Sequence, residues 1–250
     1  MYASHLTRPP VPSNLSPQPF LDITKNPSWE IAKNLPSTLP SSNGSSIQLI
    51  VPDAPIPAAY HKLLTQSASL IQQNDPDIVV HLGLAADRDY FAMERSALKE
   101  GYHDIPDVDR KVVTRVENKK LFGKVASSLG TSLDLDGAVS AWQIACAQTT
   151  MSSSSAGSGS GGGITSKGKA GGKVRQERKK VDVRLTDDVG TYVCGLIYFA
   201  SMVEMQKRKG ARDVVFLHVP PLNDEAEVGV GIEVVKEAVV ALVDVWEAKR

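Results

Sequence analysis

Two residues that could carry acyl-transfer chemistry, a cysteine and a histidine, stand at the ends of predicted elements in the second half of the chain. Cys194 lies in GTYVCGLIYF, after a polar turn and at the predicted start of a buried helix. His218 ends the apolar run VVFLHV, and the prolines that follow must leave the sheet. A thiol at a helix start and an imidazole at a strand end suit nucleophilic catalysis. The sequence therefore indicates Cys194 as a candidate nucleophile and His218 as its candidate base.

The position of Cys194 bears on the reactivity of its thiol. A helix N-terminus and a nearby histidine can lower a cysteine pKa from ~8.5 to ~3.5–7.5. Backbone N–H groups at the same helix start could hold a developing oxyanion. The competing interpretation is a small buried hydrophobe, the usual role of a free cysteine. Cys146, in AWQIACAQ, lacks the helix-start context, and we interpret it as a core residue.

A third group should orient the imidazole, and local sequence does not identify it. Four acidic residues are candidates, and their spacing does not choose among them: Asp87, Glu94, Asp187 and Asp188. His81 lies within a buried strand pattern, which favours a hydrogen-bonded core histidine over a catalytic base.

The elements that must position these residues alternate between strand and helix patterns. IQLIV (47–51), helical spacing over 55–73 and DIVVHLGLA (77–85) predict a strand–helix–strand unit. The second half repeats the alternation, with strands predicted at 181–185 and 214–219 and helices at 192–207 and 231–247. We therefore predict an α/β fold, a three-layer α/β/α sandwich with a mostly parallel central sheet. Chemistry in such sheets collects at the carboxyl ends of the strands.

Composition divides the chain into a main domain and two low-complexity parts. Residues 1 to about 45 are rich in Pro, Ser and Asn, and residues 1–25 are predicted to be irregular or disordered. Asn26-Pro27 then reads as a capped helix start, and residues 26–250 are predicted to form a single domain. An insertion at about 151–180 is Gly/Ser-rich and then basic. We interpret it as a solvated loop, the alternative being a tail for nucleic acid or another anionic partner.

Overall composition bounds the function classes. Lys plus Arg number 28 and Asp plus Glu number 28, which gives no reason to expect a nucleic-acid or membrane partner. Two cysteines fit a reducing compartment, and no signal-like or membrane-spanning run is present, so we expect a soluble cytoplasmic protein. Metal-ligand spacings and a phosphate loop are both missing, so neither a metal nor a cofactor is predicted. Nothing in the sequence predicts an oligomeric state.

Four ordered blocks resemble the pyroglutamyl peptidase I family of cysteine peptidases, in a version typical of fungi. The blocks, which span most of residues 26–250, are NPSW (26–29), HLGLAADR (81–88) followed by ERSA (94–97), GTYVCGLIYF (190–199) and FLHVPP (216–221). The resemblance implies removal of N-terminal pyroglutamate (5-oxoproline) from peptides, with no metal or cofactor.

The resemblance also implies roles for the candidate residues. Cys194 would be the nucleophile that forms a thioester acyl-enzyme, and His218 the general base and then the general acid. Glu94 would orient His218. Arg88 would shape the oxyanion region together with the backbone N–H of Cys194.

The remaining predicted site residues contact substrate, and part of the chain that should carry them differs from the family's pattern. Gly190 and Thr191 are predicted to contact substrate. Phe20 would flank the lactam ring, but Ser16-Pro17 replaces the first half of the family's Gly-Phe-x-Pro-Phe loop. RPPVPSNL, which precedes it, cannot form the family's buried first strand, because its prolines remove ladder donors.

Two further positions differ from the family's pattern. Asp87 stands where Gly is frequent, and Gly195 follows the cysteine where Asn is common. The alternative function is therefore a catalytically impaired homologue that acts as a binding protein.

Overall fold

A computed structural model describes residues 2–3, 26–152 and 178–250 of the chain. The strands, numbered in chain order, are β1 (Tyr2–Ala3), β2 (Thr38–Pro40), β3 (Ser46–Ile50), β4 (Ile78–Leu84), β5 (Phe91–Glu94), β6 (Ser96–Leu98), β7 (Ser128–Gly130), β8 (Thr150–Ser152), β9 (Arg178–Lys180), β10 (Val183–Thr186) and β11 (Val214–Val219). The helices are α1 (Pro27–Lys33), α2 (Tyr60–Asn74), α3 (Arg115–Phe122), α4 (Leu135–Cys146), α5 (Val193–Lys209) and α6 (Glu225–Glu247).

The central sheet has seven strands in the order β10-β5-β11-β4-β1-β3-β2. The pairs β11·β4 and β10·β5 are parallel, and the other four pairs are antiparallel. The predicted α/β class is confirmed, but the sheet is mixed rather than mostly parallel. The connection from β4 to β5 explains part of the difference, because residues 85–90 are too few for the helical crossover that keeps two strands parallel.

Helices cover both faces of this sheet, as the three-layer prediction requires. Helices α4 and α6 pack together, α1 packs on α6, and their apolar side chains join one core. On the opposite face α2 packs on α5 over a second core. The indole N–H of Trp142 donates to the Val234 carbonyl at 2.8 Å and ties α4 to α6. This architecture leaves the carboxyl end of β4 and the start of α5 next to each other.

Local sequence explains where the two helices nearest the site begin and end. Helix α1 starts at Pro27, and the Asn26 side chain accepts a hydrogen bond from the Ser28 N–H at 3.0 Å, as predicted. Helix α5 starts at Val193 and ends before Gly210, which adopts the left-handed conformation at φ +74°. Cys194 is therefore in the first turn of its helix.

The ends of the two low-complexity parts contribute strands. Tyr2–Ala3 forms β1, which lies between β3 and β4 and is antiparallel to both, a strand that the irregular N-terminal prediction did not include. The proline-rich stretch 8–15 lies outside the described residues. At the insertion, β8 and β9 pair as a hairpin with Ser152 opposite Arg178, while 153–177 lies outside the described residues. None of the helices in the described ranges is long and apolar enough to cross a bilayer.

Candidate active site

Strand register brings His218 and Glu94 to one face of the sheet. His218 lies opposite Ala92 on the antiparallel neighbour β5 and opposite Gly83 on the parallel neighbour β4. Glu94 is two residues beyond Ala92, so its side chain points to the same face and meets His218 across the diagonal. The helix α5 covers this face and carries Cys194 in its first turn.

His218 and Glu94 form a buried pair. His218 Nδ1 lies 2.7 Å from Glu94 Oε1, and the side chains are 6% and 0% exposed. The geometry thus singles out Glu94 among the four acidic candidates as the partner of His218. Asp187 and Asp188 extend their carboxylates into solvent instead, with 69% and 86% of their side chains exposed.

Four donors hold the carboxylate of Glu94. Oε1 accepts from His218 and from Arg88 Nη1 at 2.7 Å, while Oε2 accepts from the Thr186 hydroxyl at 2.6 Å and the Asp188 N–H at 3.1 Å. Burial alone would raise the pKa of Glu94, but the hydrogen bonds from His218, Thr186 and Arg88 hold it below its ordinary value. Glu94 is therefore ionised near neutral pH.

Thr186 and the Asp188 backbone were not predicted as site groups. Thr186 ends β10 opposite Glu94 on the parallel neighbour β5, so strand pairing places its hydroxyl beside the carboxylate. Recognising them from sequence required the pairing of β10 with β5, which local patterns do not give.

Arg88 contacts the carboxylate of Glu94 and the turn before α5. Its Nη1 donates to Glu94, and its Nη2 donates to the Asp188 carbonyl at 2.6 Å, with only 12% of the side chain exposed. The guanidinium also lies 5.7 Å from the centroid of the Tyr90 ring. Arg88 thereby fixes the loop after β4 to the turn before α5 and supports the carboxylate of Glu94.

Cys194 is partly exposed and stands above Gly83. A β-carbon on Gly83 would lie 3.3 Å from the Cys194 sulfur and 2.6 Å from the Phe216 ring, so the absence of a side chain leaves the space for the thiol. Gly83 is also the register partner of His218 on the adjacent strand, and neighbouring strands lie ≈4.8 Å apart. The thiol, the imidazole and the carboxylate therefore lie in one region.

The environment raises the pKa of the Cys194 thiol to about 12, first through burial and second through the negative charge of Glu94. This is opposite to the direction expected from the helix start. Its own backbone N–H and the Arg88 charge lower the pKa, but by less than burial and Glu94 raise it. A thiol with this pKa is neutral, and not a thiolate, near pH 7.

The turn before Cys194 is fixed by two close approaches. A β-carbon on Gly195 would lie 2.1 Å from the Gly190 carbonyl oxygen, so the turn folds back on the helix where no side chain fits. Gly190 itself has φ +77°, a conformation that favours glycine. Thr191 contacts Gly101, where an added β-carbon would lie 2.7 Å from the Thr191 Cβ. Gly190 and Thr191, which were predicted to contact substrate, therefore belong to a closely packed turn that precedes the helix.

A cavity of about 250 Å³ opens beside the thiol. Its walls are mostly apolar and combine the loop 51–58 with the helices α1 and α5 and the strand β4. Its wall includes Trp29, Tyr192, Ile197 and Phe216, together with Gly83 and His81. Phe20, the predicted ring-flanking residue, lies outside the described residues. In the described ranges no cluster of three or more His, Cys, Asp or Glu side chains could hold a metal ion.

Comparison with known sequences shows what the chain resembles. The sequence model of the family described as Pyroglutamyl peptidase matches residues 16–127, a range that includes Arg88 and Glu94 but ends before Cys194 and His218. The pyrrolidone-carboxylate peptidase of Bacillus cytotoxicus is 23% identical over 208 residues, which are 83% of this chain and 77% of the relative. That of Bacillus subtilis is 36% identical over 90 residues, 36% of this chain and 39% of the relative.

Solved structures share the fold. The pyrrolidone carboxyl peptidase of Thermococcus litoralis superposes with a TM-score of 0.63 at 17% identity and covers 93% of both chains. That of Pyrococcus furiosus gives 0.62 at 19% identity and covers 92% of this chain and 95% of the other. The family-model match over residues 16–127, the alignments to curated relatives and this common fold agree that the chain is similar to the pyroglutamyl peptidases.

Proposed function

We propose that the protein is a cysteine peptidase that removes N-terminal pyroglutamate from peptides through a thioester acyl-enzyme. The observation that carries the proposal is the His218–Glu94 pair, 2.7 Å between Nδ1 and Oε1, beside the Cys194 thiol and an apolar cavity. The names of the relatives support the substrate class, since they are pyrrolidone-carboxylate peptidases.

The first half of the reaction transfers the acyl group to sulfur. Ionised Glu94 accepts from the Nδ1–H of His218, which leaves Nε2 as the basic nitrogen. As the Cys194 sulfur attacks the pyroglutamyl carbonyl carbon, Nε2 takes the thiol proton. The raised thiol pKa requires this coupled transfer, because a thiolate is not present beforehand. The tetrahedral intermediate then collapses, the C–N bond breaks, and His218 gives the proton to the leaving amine.

The second half hydrolyses the thioester. His218 takes a proton from a water molecule whose oxygen attacks the acyl carbon, the C–S bond breaks, and the sulfur recovers its proton from His218. The products are free pyroglutamate and the restored Cys194 thiol. In both halves the developing oxyanion is assigned to the backbone N–H of Cys194 at the start of α5. The positive charge of Arg88 acts on the same region, as its effect on the thiol pKa indicates.

The cavity suits a neutral lactam better than an ordinary peptide N-terminus. A pyroglutamyl residue has no ammonium group, so it can enter an apolar site without the cost of burying an unpaired charge. Aromatic faces from Trp29, Tyr192 and Phe216 can contact the ring, and Cys194 lines the same cavity.

The proposal is tested by release of a fluorescent amine from a pyroglutamyl conjugate. We expect turnover by the full chain and a loss of at least about 10³-fold in kcat/KM in Cys194→Ser. Cys146→Ala is the matched control, since Cys146 is buried in the opposite core and should leave turnover within about twofold. Equal turnover by the wild type and Cys194→Ser would refute the cysteine mechanism.

A second candidate, a homologue that binds pyroglutamyl peptides without hydrolysing them, is favoured by the raised thiol pKa and by Ser16-Pro17 in the substrate loop. Under this alternative the folded wild type binds pyroglutamate but releases no amine over hours. Detectable, Cys194-dependent turnover excludes it.

A further inference from the structure

A buried chain of three polar side chains ends at the cavity wall. Ser67 Oγ on α2 lies 2.7 Å from Ser201 Oγ on α5, and Ser201 Oγ lies 2.8 Å from His81 Nε2 on β4. The exposed fractions of Ser67, Ser201 and His81 are 2%, 1% and 7%. None of the three takes part in the reaction described above, yet His81 lines the same cavity as Cys194.

The second ring nitrogen of His81 is the one that remains for a ligand. Among the described residues Nδ1 of His81 has no hydrogen-bond partner, since Ser201 contacts only Nε2. The one fully buried side-chain polar atom without a partner in the described ranges is Asn118 Oδ1. The ring is 7% exposed and forms part of the cavity wall, so a ligand in the cavity can approach it.

Hydrogen counting fixes the tautomer of His81. The three side chains carry two hydroxyl hydrogens and one imidazole hydrogen. Among the described residues, neither serine hydroxyl has an acceptor outside these three side chains. If His81 Nε2–H donated to Ser201, one buried hydroxyl hydrogen would be left without an acceptor, which costs free energy. Only the order Ser67 to Ser201 to Nε2 satisfies both hydroxyls. This order leaves the hydrogen on Nδ1.

The ring is also held neutral. Burial lowers the pKa of His81 to about 3, so a second proton is not added at physiological pH. The cavity thus receives one uncharged N–H donor among apolar walls.

We propose that the Nδ1–H of His81 is the specificity-determining donor that binds the lactam carbonyl oxygen of a pyroglutamyl ligand. His81 and Gly83 lie on the same face of β4 two residues apart, which is about 6.6 Å along the strand from the position beneath the thiol. A five-membered ring lying against β4 with its exocyclic carbonyl at Cys194 would direct its lactam oxygen toward His81. This inference rests on the proposed function for the identity of the ligand.

The donor also discriminates against the wrong ligands. A neutral N–H accepts no hydrogen bond from the ammonium of an ordinary N-terminus, and it cannot balance that charge in an apolar cavity. A cyclopentane ring of the same shape would fill the walls but leave the donor without an acceptor. The site should therefore prefer a ring that carries a carbonyl at this position.

The tautomer is tested first, because its measurement does not depend on turnover. The full chain is labelled with ¹⁵N-histidine, and the ring nitrogens of His81 are assigned by their loss in His81→Asn. We expect the protonated-nitrogen shift at Nδ1 and the unprotonated shift at Nε2, unchanged from pH 8 to pH 5. A proton on Nε2 in the free protein would overturn the proposal.

Ligand preference is tested next, in the Cys194→Ser background, by NMR titration with pyroglutamate and with cyclopentanecarboxylate. His81→Ala should weaken pyroglutamate binding about tenfold and change cyclopentanecarboxylate binding by less than twofold. His81→Asn keeps an amide N–H near the place of Nδ1 and should restore part of the loss. Equal weakening of both ligands, or no binding of pyroglutamate by the parent, would contradict the assignment. Absent turnover together with intact pyroglutamate preference would refute only the proposed hydrolysis.

Discussion

At the scale of single residues, the site combines a charged carboxylate, that of Glu94, with an uncharged thiol, that of Cys194. Glu94 is ionised and fully buried because four donors surround it, whereas Cys194 is kept neutral by burial and by that same carboxylate. His218 is hydrogen-bonded to the Glu94 carboxylate through Nδ1. A reaction at this site must move the thiol proton during attack, so the orientation of the imidazole by Glu94 should matter for the rate.

Replacing Glu94 with Gln should lower kcat and change the pH dependence of stability. Because the folded pKa of Glu94 is below its ordinary value, its contribution is present above the unfolded carboxyl pKa of ~4.3 and is lost as pH falls through the folded pKa. We expect Glu94→Gln to be less stable than wild type by about 3 kcal/mol at pH 7. The difference should shrink steadily below pH 4, and urea midpoints from pH 7 to pH 3 measure it.

The control for this prediction is the exposed ion pair between Asp136 and Arg95, the residue that follows Glu94. Asp136→Asn removes the partner of Arg95, whose side chain is 43% exposed, and should leave the urea midpoint nearly unchanged at every pH. A gap between wild type and Glu94→Gln that stays constant down to pH 3 would show that the carboxylate charge is not what stabilises the fold.

Alkylation of Cys194 should reveal the raised thiol pKa. With a pKa of about 12, the free protein holds almost no thiolate at pH 7, so labelling by iodoacetamide should be at least tenfold slower than that of glutathione. The rate should keep rising up to the most alkaline pH at which the fold survives. Mass spectrometry of the Cys194 peptide gives the rate, and a plateau near pH 7 would mean that His218 and Cys194 form an ion pair instead.

At the scale of elements, the start of α5 depends on glycine, whose lack of a side chain lets the preceding turn pack closely on the helix. The turn before the helix passes so close that a β-carbon at Gly195 would lie 2.1 Å from the Gly190 carbonyl oxygen. A larger residue there must move the turn that precedes the helix or the first turn of the helix. The position of Cys194 thus rests on backbone packing as much as on its own contacts.

Gly195→Ala should therefore reduce both stability and turnover. We expect a loss of about 1–3 kcal/mol in the free energy of unfolding, since the added methyl group overpacks the turn. We also expect a fall in kcat of at least tenfold, because the thiol moves relative to His218. Urea unfolding and the pyroglutamyl assay measure the two effects.

Gly229→Ala, in the helix α6, is the matched substitution. A β-carbon at Gly229 meets nothing within 4 Å, so the change should stabilise the protein by about 0.5–1 kcal/mol through helix propensity and leave kcat unchanged. If both glycine variants behaved alike, the close approach at Gly195 would not be structurally important.

At the scale of the whole molecule, the two strands that flank the low-complexity insertion lie side by side. The strands β8 and β9 pair so that Ser152 stands opposite Arg178, which brings the two ends of 153–177 together. Insertions between adjacent ends cost the fold little, because loop-closure entropy grows slowly with length. The fold should therefore be independent of this segment.

Exchanging residues 153–177 for Asn-Gly, a two-residue hairpin turn, tests that independence. We expect the urea midpoint to stay nearly unchanged, because β8 and β9 still pair. The value of kcat/KM should stay within about twofold of wild type. Loss of activity with an intact fold would assign the insertion a direct role in the site.

Most of the elements that carry the site follow from local sequence. The strands β3, β4 and β11 and the helices α2 and α5 were predicted within a few residues, because each has a clear apolar period. The strand β5, which carries Glu94, was not predicted. Its four residues FAME are buried on both faces and are too short to show a period. A strand of this kind is recognised by its pairing and not by its own pattern.

The sequence by itself determined the α/β class, the helix start at Cys194, the strand end at His218 and, through ordered motifs, the resemblance to the pyroglutamyl peptidases, since these depend on near neighbours in the chain. Only the tertiary structure decided the partners and the charge states. Register between β5 and β11 brought Glu94 to His218 across 124 positions, burial reversed the expected direction of the Cys194 pKa, and packing of α2 and α5 on β4 turned His81 toward the cavity. Desolvation and strand register are properties of the packed molecule, so no local stretch of sequence contains them.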